Sequence, residues 1–379
     1  MAAVEQLRAL LGAPALLAAA SADDLSVAER LRREWPADLV AAAGEQAELR
    51  ARAAAKFGRA AAMLFTRAGL EQATSETVAR HRTARFSGLD GVVVDLCCGI
   101  GGDLLTLAGV VGGLVIGVDR DETHALCARH NARTYDADNA AVAVSDVHDV
   151  RVAGTSAVFV DPARRERDRR GGSSPPLEWC FGLPVDRICV KAAPGLDKDV
   201  VPTGWETEFV ADHRSLKEAV LWSPAWATGR SRATVLPGGD SLVADAATAP
   251  ADLRAPGAFL LDPSPAVTRA GAVADLAAET GSWQIDRRIA FLSADRPLRS
   301  PFGRSLVVEA SLPFAVKPLS AELRRLDVGS IDIRRRGLAG DVDALKRRLR
   351  TEGGRSATVV LTRVVNRPWA FVCSDLGTP

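Results

Sequence analysis

The 379-residue chain lacks a charge bias: 48 lysines and arginines stand against 47 aspartates and glutamates, a formal net charge of +1. That balance excludes a general electrostatic pull toward nucleic acid, so any such binding has to come from local patches. No two of the six cysteines are spaced as Cys-x-x-Cys, and the five histidines are scattered. Neither a zinc-type ligand set nor a disulfide framework is therefore expected, and the cysteines read as buried thiols of a reducing compartment. No apolar run approaches the roughly eighteen residues of a membrane helix, and the amino terminus lacks a basic start before an apolar core. A cytoplasmic location follows as the expectation. No internal repeat is visible, and strand-like patterns are nearly absent from residues 1–86. The length exceeds one typical domain, so two or three are expected.

What is present starts with VVVDLCCGIGGD, residues 92–103. A β-branched run ends in Asp95, a turn carries Gly99, Gly101 and Gly102, and an apolar helical pattern begins at Leu104. Strand, glycine turn and helix in that order form the entry to a nucleotide-type ligand site. Glycine at 99 and 101 lets the chain bend through positive φ and lets a ligand lie against backbone. A second run, residues 114–118, leads to Asp119, eighteen residues after Gly101, where such folds keep an acid for ribose hydroxyls. A pyrophosphate is disfavoured by two nearby carboxylates; an adenosine derivative with a cationic end is not. Asp95 can accept from an ammonium group and Asp119 from both ribose hydroxyls. Two further runs end in acids, residues 141–144 before Asp146 and residues 157–160 before Asp161-Pro162. The carboxyl edge of an open α/β sheet is where ligands sit.

The spacing Asp-x-Cys-x-Gly-x-Gly from Asp95 to Gly101 resembles the first motif of class I S-adenosylmethionine methyltransferases. The resemblance implies a Rossmann-like α/β fold with a seven-stranded methyltransferase sheet and S-adenosylmethionine as cofactor, held by Asp95, Cys97, Gly99, Gly101, Asp103, Asp119 and Asp146, the last at the adenine amino group. Asp161-Pro162 resembles the fourth motif of amino-group methyltransferases, which implies that the pair positions a nitrogen acceptor. Ala163 and Arg164 stand where that motif has a second proline and a stacking aromatic, so the platform for a flipped base is missing. Residues 70–86 resemble the element that precedes the first strand in trimethylguanosine-synthase-like enzymes, with Ser75 in place of proline and Thr74 able to cap a helix.

After Asp161 come five arginines against two acids in residues 164–170. Arg164 and Arg165 are candidates to grip a phosphate, or to turn inward and pair with an acid. Strands are expected at residues 187–191, 218–222 and 233–237, the last two as a terminal hairpin. The division is residues 1–86 as a helical region, with Ser26 capping one helix, residues 87–245 as the methyltransferase domain, and residues 246–379 as a second α/β region. Within that last part, residues 305–379, with their IDIRRRG segment, resemble the THUMP-like domain found behind bacterial methyltransferases. THUMP domains proper bind RNA, so the resemblance implies RNA as partner, with Arg334, Arg335 and Arg336 at its phosphates. The reading is a methyltransferase acting on a nitrogen of a structured RNA, tRNA or rRNA. Methylation of a protein or small molecule is one alternative, and a non-catalytic RNA-binding protein with a degenerate cofactor fold is another.

Overall fold

The structure is a computed structural model that describes residues 3–22, 24–164, 173–349 and 351–376. The chain forms two units, Met1–Thr207 with Glu218–Thr228, and Glu208–Lys217 with Gly229–Pro379.

The first unit opens with six helices: α1 Ala3–Leu11, α2 Pro14–Ala19, α3 Leu25–Leu31, α4 Ala37–Ala53, α5 Arg67–Gln72 and α6 Glu76–Thr83. Their apolar stripes make one core, with Leu10, Leu16, Ala43, Leu49 and Phe65 buried together. Ser26 lies inside α3, whose cap is Asp24, accepting from the N–H groups of Ser26 and Val27. The carboxylate is the stronger acceptor and sits one position before the first helical residue, which is the capping place.

Five parallel strands follow: β1 Val93–Leu96, β2 Val115–Asp119, β3 Ala140–Val144, β4 Ala157–Val160 and β5 Ile188–Ala192. β1 and β4 are buried throughout. Continuous apolar runs are what a parallel sheet covered on both faces requires. Helices α7 Gly102–Ala108, α8 Glu122–Thr134 and α9 Leu177–Phe181 connect them. The next hairpin differs from the expected one. It pairs β6 Glu206–Asp212 with β7 Ser215–Trp222, and β7 lies antiparallel beside β5, giving the order β7-β5-β4-β1-β2-β3 in this unit. The sequence ETEFVAD of β6 hides a strand because both its glutamates are buried: Glu206 accepts from Arg85 at 2.7 Å and from the Thr228 N–H at 2.7 Å.

In the second unit, β8 Ser231–Leu236 and β9 Asp240–Val243 form the next hairpin, with the outer part of β6 beside β8. A separate seven-stranded sheet contains β10 Phe259–Pro263, β11 Trp283–Gln284, β12 Leu292–Ala294, β13 Gly303–Pro313, β14 Val328–Arg335, β15 Arg355–Val364 and β16 Arg367–Asp375, in the order β11-β12-β10-β13-β16-β15-β14. Helices α10 Pro265–Ala270, α11 Val273–Thr280, α12 Val316–Arg325 and α13 Val342–Leu349 complete the unit. Leu319, Leu323 and Leu349 of α12 and α13 pack on Val359, Leu361 and Val372. Among the described residues no helix is long and apolar enough to cross a membrane.

Candidate cofactor and acceptor site

Strand register brings the acids together. Leu96 is level with Val118 of β2 and Val160 of β4, and Val160 is level with Val190 of β5. One residue further on, Cys97, Asp119, Asp161 and Lys191 therefore line one edge of the sheet.

The turn after β1 is built from left-handed backbone. Cys97, Gly99 and Gly101 have φ of 64°, 53° and 90°. A Cβ added to Gly99 meets nothing within 4 Å, whereas one on Gly101 meets Ala128 of α8 at 3.2 Å. Gly99 thus borders open space, and Gly101 is required by backbone conformation and close packing of the helix behind it. Asn131 of α8 fixes the turn from beneath, donating to the carbonyl of Ile100 at 2.9 Å. Asp119 latches it from the side: its Oδ2 accepts from the Gly99 N–H at 2.8 Å and its Oδ1 from the Asp121 N–H at 2.9 Å.

Asp95 is fully buried, and neither carboxylate oxygen has a hydrogen-bond partner among the described residues. Burial, with Asp103 and Asp161 as like-charged neighbours, pushes its carboxyl well above the ordinary range. An ionised carboxylate without a partner is costly in such a place. Burial likewise pushes up the thiols of Cys97 and Cys98, with acids on every side adding to it.

Asp103 in the first turn of α7 is nearly buried and bonds Arg82 of α6, whose other terminal nitrogen bonds Glu218 of β7. Arg82 is fully buried and stacks over Phe159 at 4.8 Å. Its desolvation is outweighed by Asp103 and Glu218, which hold it well above its usual value. Asp161 Oδ2 accepts from Lys191 Nζ at 2.7 Å, and Pro162 beside it is buried. Burial lowers Lys191, but Asp161, Asp103 and Glu218 outweigh it and keep the ammonium above the ordinary lysine value.

Sequence reasoning missed Arg82, Lys191 and Glu218. Two of them carried a usable signal, because Lys191 closes one expected strand and Glu218 opens another, and both lie at the ligand edge of the sheet. Thr74 does not cap α6. The cap position is Ser75, without a side-chain bond, and among the described residues the buried Thr74 hydroxyl has no partner. Asp146 stands apart from the buried group, half-exposed, accepting from the His148 N–H at 3.0 Å and its ring Nδ1 at 2.6 Å. Those bonds hold its carboxyl below the usual range.

Arg164 lies in a two-residue strand, Ala163–Arg164, paired with Ser173–Ser174; Arg165 falls outside the described residues. In the second unit Arg336 donates to Asp262 at 2.9 Å and to the Pro263 carbonyl at 2.7 Å, Arg334 pairs with Asp332 at 3.2 Å, and Arg335 bonds the Gly340 carbonyl.

Comparison with known proteins bears on this arrangement. Two curated relatives from strains of Mycobacterium tuberculosis, each described as an uncharacterized S-adenosylmethionine-dependent methyltransferase, are 36% identical over 345 residues, covering 86% of this chain and 94% of theirs. The chain belongs to the S-adenosylmethionine-dependent methyltransferases. It is an enzyme of that class, and S-adenosylmethionine is its cofactor. Residues 90–167 match the family described as RNA cap guanine-N2 methyltransferase, residues 303–375 the THUMP domain-like family, and residues 1–53 a domain family of unknown function. A crystal structure from Porphyromonas gingivalis, provisionally designated a methyltransferase, shares the fold with a TM-score of 0.75 at 21% identity, over 91% of this chain and 92% of that one.

Proposed function

We propose that this methyltransferase acts on a structured RNA, tRNA or rRNA, in the cytoplasm, with the cofactor in the turn after β1 and the acceptor at Asp161. The observation that carries the cofactor assignment is Asp95. A buried carboxylate with two unbonded oxygens needs a cationic donor, and the α-ammonium group of S-adenosylmethionine is one. The buried, unbonded Thr74 hydroxyl and the open space above Gly99 fit the same ligand.

In this reading Asp119 has capacity left for the ribose hydroxyls, since each of its oxygens holds one backbone N–H and retains a lone pair. Cys97 and Gly99 line the turn, Gly101 shapes it, and the half-exposed Asp146 is open to the adenine amino group. Asp103 holds Arg82 and through it α6, so its part is to fix the wall of the site. When bound, the sulfonium supplies an electrophilic methyl group. Alignment of the acceptor with that methyl group in a water-poor site contributes to the rate whichever atom is methylated. Asp161 and Pro162 provide that alignment. A nitrogen acceptor, as the Asp161-Pro162 pair suggests in sequence, is one form of this proposal; Lys191 favours an oxygen.

RNA as substrate rests on the THUMP-like match and on the name of the family matched by residues 90–167. Arg164, Arg165, Arg334 and Arg335 are its proposed phosphate contacts, while the guanidinium of Arg336 is engaged within its own unit. Calorimetric titration with S-adenosylmethionine should show binding by the intact chain and a loss of about tenfold or more in Asp119→Ala, since a charge-assisted hydrogen bond contributes about 1.5–3 kcal/mol. Label from the cofactor, offered total RNA, protein and metabolites, should enter the RNA fraction. Label in protein or metabolites instead would refute the RNA assignment.

A further inference from the structure

We propose that the atom methylated is a hydroxyl oxygen, in RNA the ribose 2′-hydroxyl, with Asp161 receiving its proton and Lys191 stabilising the negative charge that develops on it. This rests on the RNA reading above and goes beyond it in naming the acceptor atom.

The β4–β5 register sets Lys191 level with Asp161, and the two side chains meet at 2.7 Å. Among the described residues each is the other's one hydrogen-bond partner. Asp161 Oδ1 and two N–H bonds of the Lys191 ammonium are therefore left for a substrate. Both side chains keep some exposure, 28% and 16%, so the pair is reachable from outside. Burial works against the ammonium, and Asp161 first, with Asp103 and Glu218 behind it, outweighs that and holds it above the ordinary lysine value; Glu218 is itself held in place by Arg82.

Charge decides between acceptors. A neutral amine becomes more positive as it takes a methyl group, so an ammonium next to the positioning carboxylate opposes it. A hydroxyl has to shed its proton and passes through a more negative oxygen, which a fixed cation in a low-dielectric site stabilises. The residues after Pro162 agree, since Ala163 and Arg164 provide no aromatic face for a flipped base. The match to the guanine-N2 family ends at residue 167, before Lys191. In the step, a lone pair of the hydroxyl oxygen forms the O–CH3 bond while the methyl–sulfur bond breaks and sulfur keeps that electron pair. The hydroxyl proton passes to Asp161 and from there to water.

The test uses the full chain, labelled S-adenosylmethionine and total RNA, followed by complete alkaline hydrolysis. A 2′-O-methyl group removes the nucleophile that cleaves the adjacent phosphodiester, so label is expected in alkali-resistant dinucleotides. Label released as mononucleotides overturns the oxygen assignment while leaving RNA as the substrate; absence of label from RNA overturns both. Lys191→Met should slow labelling by at least about 100-fold, with cofactor affinity by calorimetry unchanged within a few-fold. Lys191→Arg, which keeps the cation, should recover part of the rate. Equal rates for the Met and Arg variants, or an undiminished rate in Lys191→Met, would overturn the role given to the charge.

Discussion

Within β1 the protein keeps the Asp95 carboxyl wholly inside, with neither oxygen bonded among the described residues. Just after β14 the Arg336 guanidinium donates to Asp262 and to the Pro263 carbonyl within its own unit. In sequence both are charges near the end of a strand, a lone acid at Asp95 and the last of three arginines at Arg336. A charge satisfied by its own fold holds that fold together, whereas a buried carboxyl left without a partner is costly to ionise, a cost that the ammonium group of the cofactor offsets in the proposed site.

The largest effect that would test this contrast is expected from Asp95→Asn. The variant keeps the shape and removes the charge, so affinity for S-adenosylmethionine should fall about 10- to 100-fold, the loss of a charged hydrogen bond of about 1.5–3 kcal/mol, while the cofactor-free protein becomes more stable to heat. The pH dependence has a definite sign. Because the folded-state carboxyl titrates above its unfolded value, the stability it confers in neutral form is present at low pH and lost as pH rises through the raised value. Cofactor affinity runs the other way, rising as the carboxylate forms. Asp95→Asn should flatten both profiles; an unchanged affinity would remove the distinction between the two regions.

Arg336→Ala should act on stability instead. Asp262 and the Pro263 carbonyl lose their donor, at a cost of about 1–3 kcal/mol, measurable by urea denaturation, with the salt dependence of RNA binding unaltered. A variant of undiminished stability that binds RNA more weakly would place Arg336 with the ligand-seeking charges.

The smallest expected effect concerns Cys97, a side chain held at φ 64°. Left-handed backbone costs a residue with a Cβ about 1–2 kcal/mol. Cys97→Gly should therefore gain up to about 1 kcal/mol after the added chain entropy of glycine, and Cys97→Ala should gain nothing. Equal stability of the two would mean that the turn is not strained there.

Much of the first unit was legible in the sequence because its signals are local. The run VVVDL, the glycines behind it, and acids at the ends of four apolar runs can each be read within a few residues. The β6–β7 hairpin was not, since the acids of ETEFVAD suggest solvent and only the fold shows Arg85 and Thr228 waiting for Glu206. The same holds for the charged core of the site: Arg82 meets residues 21 and 136 positions away, and Lys191 one 30 away. No pattern within a single element records such pairings. The open face at Gly99 and the packed one at Gly101 are equally silent in sequence, since both residues are glycine and only their neighbours differ.

The hairpin of β6 and β7 also governs how the molecule can be taken apart. The polypeptide leaves the first unit after Thr207, re-enters it at Glu218, and leaves again after Thr228. Scission at any single peptide bond therefore yields at least one fragment with a missing piece, and a protease would have to cut near all three crossings to free two whole parts. Attempts to express the first unit alone should carry residues 218–228 along, because Glu218, the anchor of Arg82, arrives on that returning stretch.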